Sequence, residues 1–438
     1  MEGVSDRLGE VVRLPSQPLS NKYSTMAENE YRLSYHECRE VLRKRLADTA
    51  PGRIQLLSGP RQVGKTTLLL ELADDASGSA IYAAADAPDA SLPGFWDRLW
   101  TRAEETAKAQ GHAVVLLDEA HLLHDWAARL KGAWDRIKRH KIPVHVVATG
   151  SSALHLATGS RESLAGRFER LTLAHWSASS LAEVFKLEPP SAADLFVRMG
   201  SYPGAFGLRD DLRRWSAYVR DAILEPAIGR DILALAAVRR PALLRQVFGI
   251  AASSPAQIVS LQKIQGQLQD RGALETIVHY LALLEEAFLV APVPKYSVQA
   301  ARRRAAPPKL VTLNNALVAA VHPDGVAAAQ NPATFGAWVE NACLAYAWNA
   351  GQCLHYWREE PLEVDGVIEG TWGAWAIEVK TGKLQATDLN GLLEFVRRFP
   401  RFKPLVVCDS ETRASAERLG VPATTWQRYL LEGPGRSE

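Results

Sequence analysis

The chain predicts an α/β layered protein built in three blocks. Short apolar runs alternate with longer amphipathic stretches through the first half, a mostly helical stretch follows, and strand-like runs return near the end. A length of 438 residues, at about 150 residues per domain, points to the same number of units. Apolar residues at 47% and charged residues at 23% lie close to the globular average, which excludes wholesale disorder.

Residues 1–30 are polar and aperiodic and read as an extension. The block 31–208 opens with a helical pattern over Tyr35–Leu46, broken at Pro51-Gly52. Four buried strands are then expected at Ile54–Leu57, Ala80–Ala85, Ala113–Leu117 and Val144–Ala148, because such short, near-continuous apolar runs fit a parallel sheet covered on both faces. Thr66–Leu72, Trp96–Ala109 and Trp126–Arg139 supply the crossover helices between them. The block 209–331 is helical in pattern, with Leu274, Ile277, Leu281, Leu284 and Phe288 on one face. The block 332–438 returns to strands at Leu354–Trp357, Glu363–Ile368, Ala374–Lys380 and Leu405–Cys408, after a helical stretch at Phe335–Trp348.

The formal charge of +2 gives no global pull towards nucleic acid or membrane. Cut into blocks it is uneven, since the first is neutral, the middle carries +5 and the last −3. The middle block is therefore where a phosphate backbone would be met first. No apolar run approaches the roughly 18 residues of a membrane span. Met1 to Glu10 hold three acids and no apolar core, so no secretory leader is expected. Cys38, Cys343, Cys353 and Cys408 show neither zinc spacing nor a disulfide framework, as in a reduced, cytoplasmic protein.

Gly59-Pro60-Arg61-Gln62-Val63-Gly64-Lys65-Thr66 matches the phosphate-binding pattern G-x-x-x-x-G-K-[ST], placed between an expected strand and a helix that starts with Thr66 and Thr67. Glycines let the backbone amides curl around phosphate oxygens, and the helix start adds roughly half a positive charge. Lys65 is expected on the β- and γ-phosphates of ATP and the Thr66 hydroxyl on Mg²⁺. Ala113–Leu117 delivers Asp118 and Glu119 to the carboxyl end of a strand, where ligands gather in open parallel sheets. Asp118 would hold Mg²⁺ and Glu119 would orient or deprotonate the attacking water; an acidic helix cap gives the same letters. Ala120-His121 completes a D-E-A-H string, but too few residues remain for the second motor domain of such a helicase.

Val147-Ala148-Thr149-Gly150-Ser151-Ser152 ends another strand in small polar residues. Here the sequence resembles the AAA+ class of P-loop ATPases, in which a polar residue at this place senses the γ-phosphate; Thr149 or Ser151 would take that role, unless the segment is a plain turn. Gly166-Arg167 falls where the resemblance implies an arginine finger acting on a neighbouring subunit, although a surface ion pair would use Arg167 equally well.

On the strand Ala374–Lys380, Ala374, Ala376, Glu378 and Lys380 point one way, and Trp375, Ile377 and Val379 the other. The bulky face is expected in the core, and the alanines are expected to leave room for a substrate. Asp365 lies thirteen residues before Glu378, and Glu340 lies earlier on the helical stretch. Carboxylates brought together call for a hard cation such as Mg²⁺. The Glu…Asp…Glu-x-Lys order resembles the PD-(D/E)xK, or restriction-endonuclease-like, core. That resemblance implies Asp365 and Glu378 as metal ligands, Lys380 as the water-activating residue and Glu340 as an auxiliary acid.

Taken with Tyr202-Pro203, these motifs resemble prokaryotic AAA-family ATPases with a winged-helix-like middle domain and a C-terminal restriction-endonuclease-like domain, over roughly residues 31–410. The chain departs at Gly200-Ser201, where Gly-Gly is usual, at Asn314-Asn315, where an Asp is usual, and at Gly366, where a bulky residue is usual. The resemblance implies a Mg²⁺- and ATP-dependent ATPase controlling a nuclease-like domain on DNA, or a switch that binds nucleic acid or a protein without cutting, in a homo-oligomer away from membranes. Ile258–Gln269 and Ala273–Phe288 fit a helix-turn-helix. Glu275, Glu285 and Glu286 on its second helix would repel phosphates, whereas Arg302 to Arg304 are better placed to meet them.

Overall fold

A computed structural model describes residues 32–150, 164–233, 238–269, 273–299 and 306–435. The extension 1–30, Ser151 and Arg302 to Arg304 lie outside the described residues.

The four expected strands of the first block form at Ile54–Ser58, Ala80–Ala84, Ala113–Asp118 and Val144–Thr149. Two more join them, Arg32–Leu33 and Phe168–Leu173. Every pairing is parallel, and the order across the sheet is 32–33, 168–173, 54–58, 144–149, 113–118, 80–84. Phe168–Leu173 escaped the apolar-run criterion because it carries Glu169 and Arg170. Its Glu169 is satisfied by Arg53, Arg45 and Gln55 at the bottom of the sheet.

Alternation along Ala113–Leu117 shows why its run is continuously apolar. Val114 and Leu116 pack with Leu57, Leu68, Leu69 and Val147 on one face. Ala113, Val115 and Leu117 pack with Trp96, Trp100, Leu130 and Ile137 on the other. Both faces are covered by the crossover helices Lys65–Asp75, Phe95–Gln110 and Trp126–His140.

Helices Ala178–Phe185 and Pro189–Met199 lead out of this sheet. The middle block then runs as a helix Pro241–Ala252, a short strand Gln257–Ile258, helices Leu261–Gln267 and Leu274–Glu286, and strands Val290–Val293 and Lys309–Thr312. The three strands make one antiparallel sheet with Lys309–Thr312 in the centre. Ile277, Leu281 and Leu284 are buried as expected, and Phe288 is buried beyond the helix end, whereas Leu274 is only half-buried. From Tyr280 to Glu285 every residue is buried. Glu285 therefore faces protein, not a groove of nucleic acid.

The last block forms a helix Pro332–Asn349 and a five-stranded sheet in chain order: Cys353–Glu359, Leu362–Gly370, Gly373–Lys380, Lys403–Cys408 and Ala423–Thr425. Its first three strands are antiparallel and the rest parallel. One apolar core runs from Leu181 and Phe206 through Leu244 and Leu281 to Trp338, Trp375 and Ile377. The middle block and the C-terminal sheet are thus welded together.

Candidate functional site

The phosphate loop sits at the carboxyl end of Ile54–Ser58 and is pressed onto the neighbouring strand. A Cβ at Gly59 would lie 2.2 Å from the Leu173 carbonyl oxygen, so only glycine allows this approach. Lys65, buried at the start of its helix, donates to the carbonyls of Gly59 (2.9 Å) and Pro60 (2.7 Å). Burial lowers its pKa, opposed by the nearby Glu119 and Asp118.

Strand order brings the remaining parts together. Val144–Thr149 lies between the loop strand and Ala113–Asp118, with Thr149 in register with Leu57. Thr66 Oγ1 donates to Asp118 Oδ2 at 2.7 Å, Tyr82 donates to the same oxygen at 3.1 Å, and Thr149 donates to Asp118 Oδ1. Thr149 Oγ1 also accepts from the Glu119 amide at 3.1 Å. Glu119 holds a left-handed φ of 48°, a conformation that needs such anchoring. Burial raises the Glu119 pKa, and His121, 3.4 Å away, is lowered to about 4 by burial and stays neutral. A hydroxyl, a carboxylate and an amide-lined loop thus converge as a triphosphate with Mg²⁺ requires.

The other loop residues have unforeseen partners. Arg61 makes a bidentate ion pair with Asp231, a residue buried in the middle block. Gln62 accepts from Tyr218 (3.1 Å), and the Val63 carbonyl accepts from Trp176 (2.9 Å). Thr67 is exposed on the first turn of the helix. Asp231 and Trp176 lie more than 100 positions from the loop, and no local pattern announces them.

Arg167 stands at the opposite end of the sheet. Its carbonyl accepts from the amide of Ile54, the first residue of the strand whose last residue precedes the loop. Its guanidinium is paired with Asp135 at 2.8 Å. It cannot reach its own chain's loop across a strand of five residues, a span of roughly 17 Å.

In the C-terminal sheet, Trp375 and Ile377 enter the shared core as expected. The alanine face does not leave room: Ala376 is fully buried under Leu392 and Phe395 of the helix Asn390–Arg398. Gly366 is explained by the same crowding, since a Cβ there would lie 2.7 Å from Ile377 and 2.8 Å from Leu344.

Glu340 and Asp365 do converge, but around an ammonium that sequence reasoning missed, with Glu378 close enough to feel the charges of Asp365 and Lys309. Lys309 Nζ, from the central strand of the middle block, lies 2.8 Å from Glu340, 3.1 Å from Asp365 and 3.4 Å from Glu363. Lys309 is 1% exposed. The carboxylates around it raise its pKa against the opposing effect of burial. Glu340 is pushed up to about 8, chiefly by burial, and Glu378 is also raised by burial. Asp365 Oδ2 accepts from the Val379 amide at 2.9 Å. Among the described residues, Glu378 Oε2 is buried with no hydrogen-bond partner. Lys380 turns to Asp388, 3.1 Å away. Among the described residues, no three His, Cys, Asp or Glu side chains stand as a metal-holding group. As arranged, the pocket does not fit a divalent ion.

Three family models match successive parts of the chain. Residues 51–182 match the model of an AAA domain, residues 193–328 a domain of unknown function (DUF8612), and residues 335–428 another domain of unknown function (DUF4143). Uncharacterised proteins of Mycobacterium tuberculosis and Mycobacterium bovis are each 26% identical over 337 residues, covering 75% of this chain and 70% of theirs. Among solved structures, AMPPCP-bound DnaA from Aquifex aeolicus is similar at 16% identity and a TM-score of 0.31, over 61% of this chain and 92% of that one. A chain from a study of katanin self-assembly is similar at 17% identity and a TM-score of 0.27, over 41% of this chain and 58% of that one, so less than two thirds of its length is spanned. The chain carries a P-loop AAA-type ATPase domain. No helix among the described residues is long and apolar enough to cross a membrane.

Proposed function

We propose that this protein is a Mg²⁺- and ATP-dependent AAA+ ATPase whose nucleotide state controls a C-terminal restriction-endonuclease-like domain through a winged-helix-like middle domain. The observation that carries this reading is the meeting of Thr66, Asp118, Thr149 and Glu119 beside the phosphate loop. Thr66 and Asp118 would hold Mg²⁺, which when bound neutralises charge on the β- and γ-phosphates. Lys65 leaves the loop carbonyls for phosphate oxygens, and Glu119 orients and accepts a proton from the attacking water, its burial making it the stronger base. The Arg61–Asp231 pair gives the loop a direct handle on the middle block. The run helix, strand, helix, helix, strand, strand supports the winged-helix-like reading of that block.

Arg167, distant from its own loop, fits service in a neighbour's site within a homo-oligomer. Lys65→Ala should abolish nucleotide binding or hydrolysis, and Glu119→Gln should bind ATP without turning it over. Unchanged ATPase activity in the Lys65 variant would sink the assignment.

Two outputs differ in what the C-terminal domain does. The order Glu340, Asp365, Glu378, Lys380 supports a nuclease acting on DNA. The seating of Lys309 among the carboxylates and the pairing of Lys380 with Asp388 favour a switch that binds nucleic acid or protein without cutting. Purified protein incubated with plasmid and single-stranded DNA, with and without ATP, separates them. Cleavage lost in Asp365→Ala and Glu378→Ala, with ATP hydrolysis retained, establishes the nuclease; no cleavage by wild type under any metal or nucleotide condition establishes the switch.

A further inference from the structure

We propose that the Lys309 ammonium is the resident cation of the C-terminal carboxylate pocket and excludes a divalent cation from it. Three carboxylates from two elements of the C-terminal block, the helix Pro332–Asn349 and the strand Leu362–Gly370, meet one ammonium delivered from the middle block. The ammonium donates to Glu340 Oε1, Asp365 Oδ1 and the Asp365 carbonyl, and Glu363 adds an ion pair at 3.4 Å. The lysine is almost wholly buried although it is a residue type that is nearly always exposed unless paired. The strand that carries it is held in place on both sides, by Val290–Val293 and by Gln257–Ile258.

The pocket nevertheless has the makings of a hard-cation site. Its side chains are all oxygen donors, and Glu378 Oε2 is buried beside Asp365 and Lys309 with no hydrogen-bond partner among the described residues. A divalent ion needs carboxylate oxygens at about 2.0–2.6 Å, and those oxygens now face Lys309 at 2.8–3.4 Å. Two cations cannot share that space, so ion and ammonium compete.

The same strand leads directly towards the ATPase domain. Asn314, two residues past its end, donates to His175 and accepts from the Ser201 amide. His175 itself lies two residues beyond Leu173, the residue against which Gly59 is packed. The lysine-bearing strand is thereby tied through Asn314 to the segment that follows Leu173.

This inference deepens the nuclease-like reading of the C-terminal domain, but its test reads metal binding and not cleavage. Mn²⁺ is titrated into nucleotide-free full-length protein and free ion is followed by electron paramagnetic resonance. Wild type should show no Asp365-dependent site. Lys309→Gln should gain one Mn²⁺ per chain, with affinity at least about tenfold above any wild-type site, and Lys309→Gln/Asp365→Asn should lose it. Mn²⁺ should also raise the melting temperature of Lys309→Gln and leave that of wild type in place. If Lys309→Gln does not fold, Lys309→Gln/Glu340→Gln removes one charge of each sign and should gain the same site. An Asp365-dependent Mn²⁺ site already present at equal affinity in wild type, or no gain in either variant, overturns the proposal. A gained site without any DNA cleavage would instead count against the nuclease reading and leave the exclusion by Lys309 standing.

Discussion

Thr149→Val isolates the hydroxyl that ties the two acidic residues of the candidate ATP site together. Valine keeps the branched shape of threonine, so the fully buried position stays filled. What is lost is the donor to Asp118 Oδ1 and the acceptor for the Glu119 amide. A hydrogen bond to a charged group contributes about 1.5–3 kcal/mol, and an orphaned buried amide costs about 1–3 kcal/mol. The Glu119 amide also lies 3.1 Å from Asp118 Oδ1, so it is not left bare, and the lower part of that range applies. A total of about 2–3 kcal/mol follows, falling on a residue whose left-handed backbone must be held in place. If most of it is expressed in the transition state, kcat falls by about 30- to 100-fold. Steady-state ATP hydrolysis gives kcat, and a fluorescent ATP analogue gives affinity, which should change by less than about threefold because Lys65 and the loop are untouched. Thr149→Ser should recover most of the loss, since the hydroxyl returns. A folded Thr149→Val protein with kcat within about twofold of wild type would refute the positioning argument, as would a loss of affinity that accounts for the whole defect.

Arg167→Ala should bind ATP normally and hydrolyse it slowly, and mixing it with Lys65→Ala subunits should restore part of the activity; no rescue in oligomers confirmed by light scattering counts against a shared site. Asp231→Asn removes the charge facing Arg61 at a buried position, and should lower stability to urea by about 1–3 kcal/mol; an unchanged midpoint would mean the pair contributes nothing. His175, buried and lowered to about 4, donates to the Phe288 carbonyl and accepts from Asn314 in its neutral form. Because its folded pKa lies below the unfolded value near 6.5, protonation favours unfolding, and roughly 3 kcal/mol of stability should drain away as pH falls from about 6.5 to about 4. His175→Gln should flatten that part of the urea-midpoint profile against pH, and an identical pH slope in the variant would refute the assignment.

Much of the candidate ATP site is legible in the chain because its parts are local. Gly59 to Thr66 is one loop whose spacing is dictated by backbone amides wrapping a phosphate, and Asp118 and Thr149 end apolar runs that can only be buried parallel strands. The period-two alternation of Trp375 and Ile377 likewise marks their core face correctly. It misreads the other face, because Ala376 is small for the sake of Leu392 and Phe395 packing on it, and a small residue under a helix looks the same in sequence as one beside a cavity. Phe168–Leu173 escapes the apolar-run criterion because it carries Glu169, whose charge is satisfied by residues more than 100 positions away.

What only the tertiary structure decided are the charges that meet across blocks. Arg61 finds Asp231 across 170 positions, and Lys309 reaches Glu340 and Asp365 across 31 and 56. Such pairs leave no periodic trace, since an ion pair requires only that two side chains arrive at one point, by whatever route the backbone takes. In the sequence, Mg²⁺ at Asp365 and Glu378 is an expectation that rests on the resemblance their order carries, since nothing local shows that the carboxylates meet. That the cation on hand is an ammonium from the neighbouring block follows from packing the middle sheet against the last one, whereas Lys380 answers Asp388 within its own block.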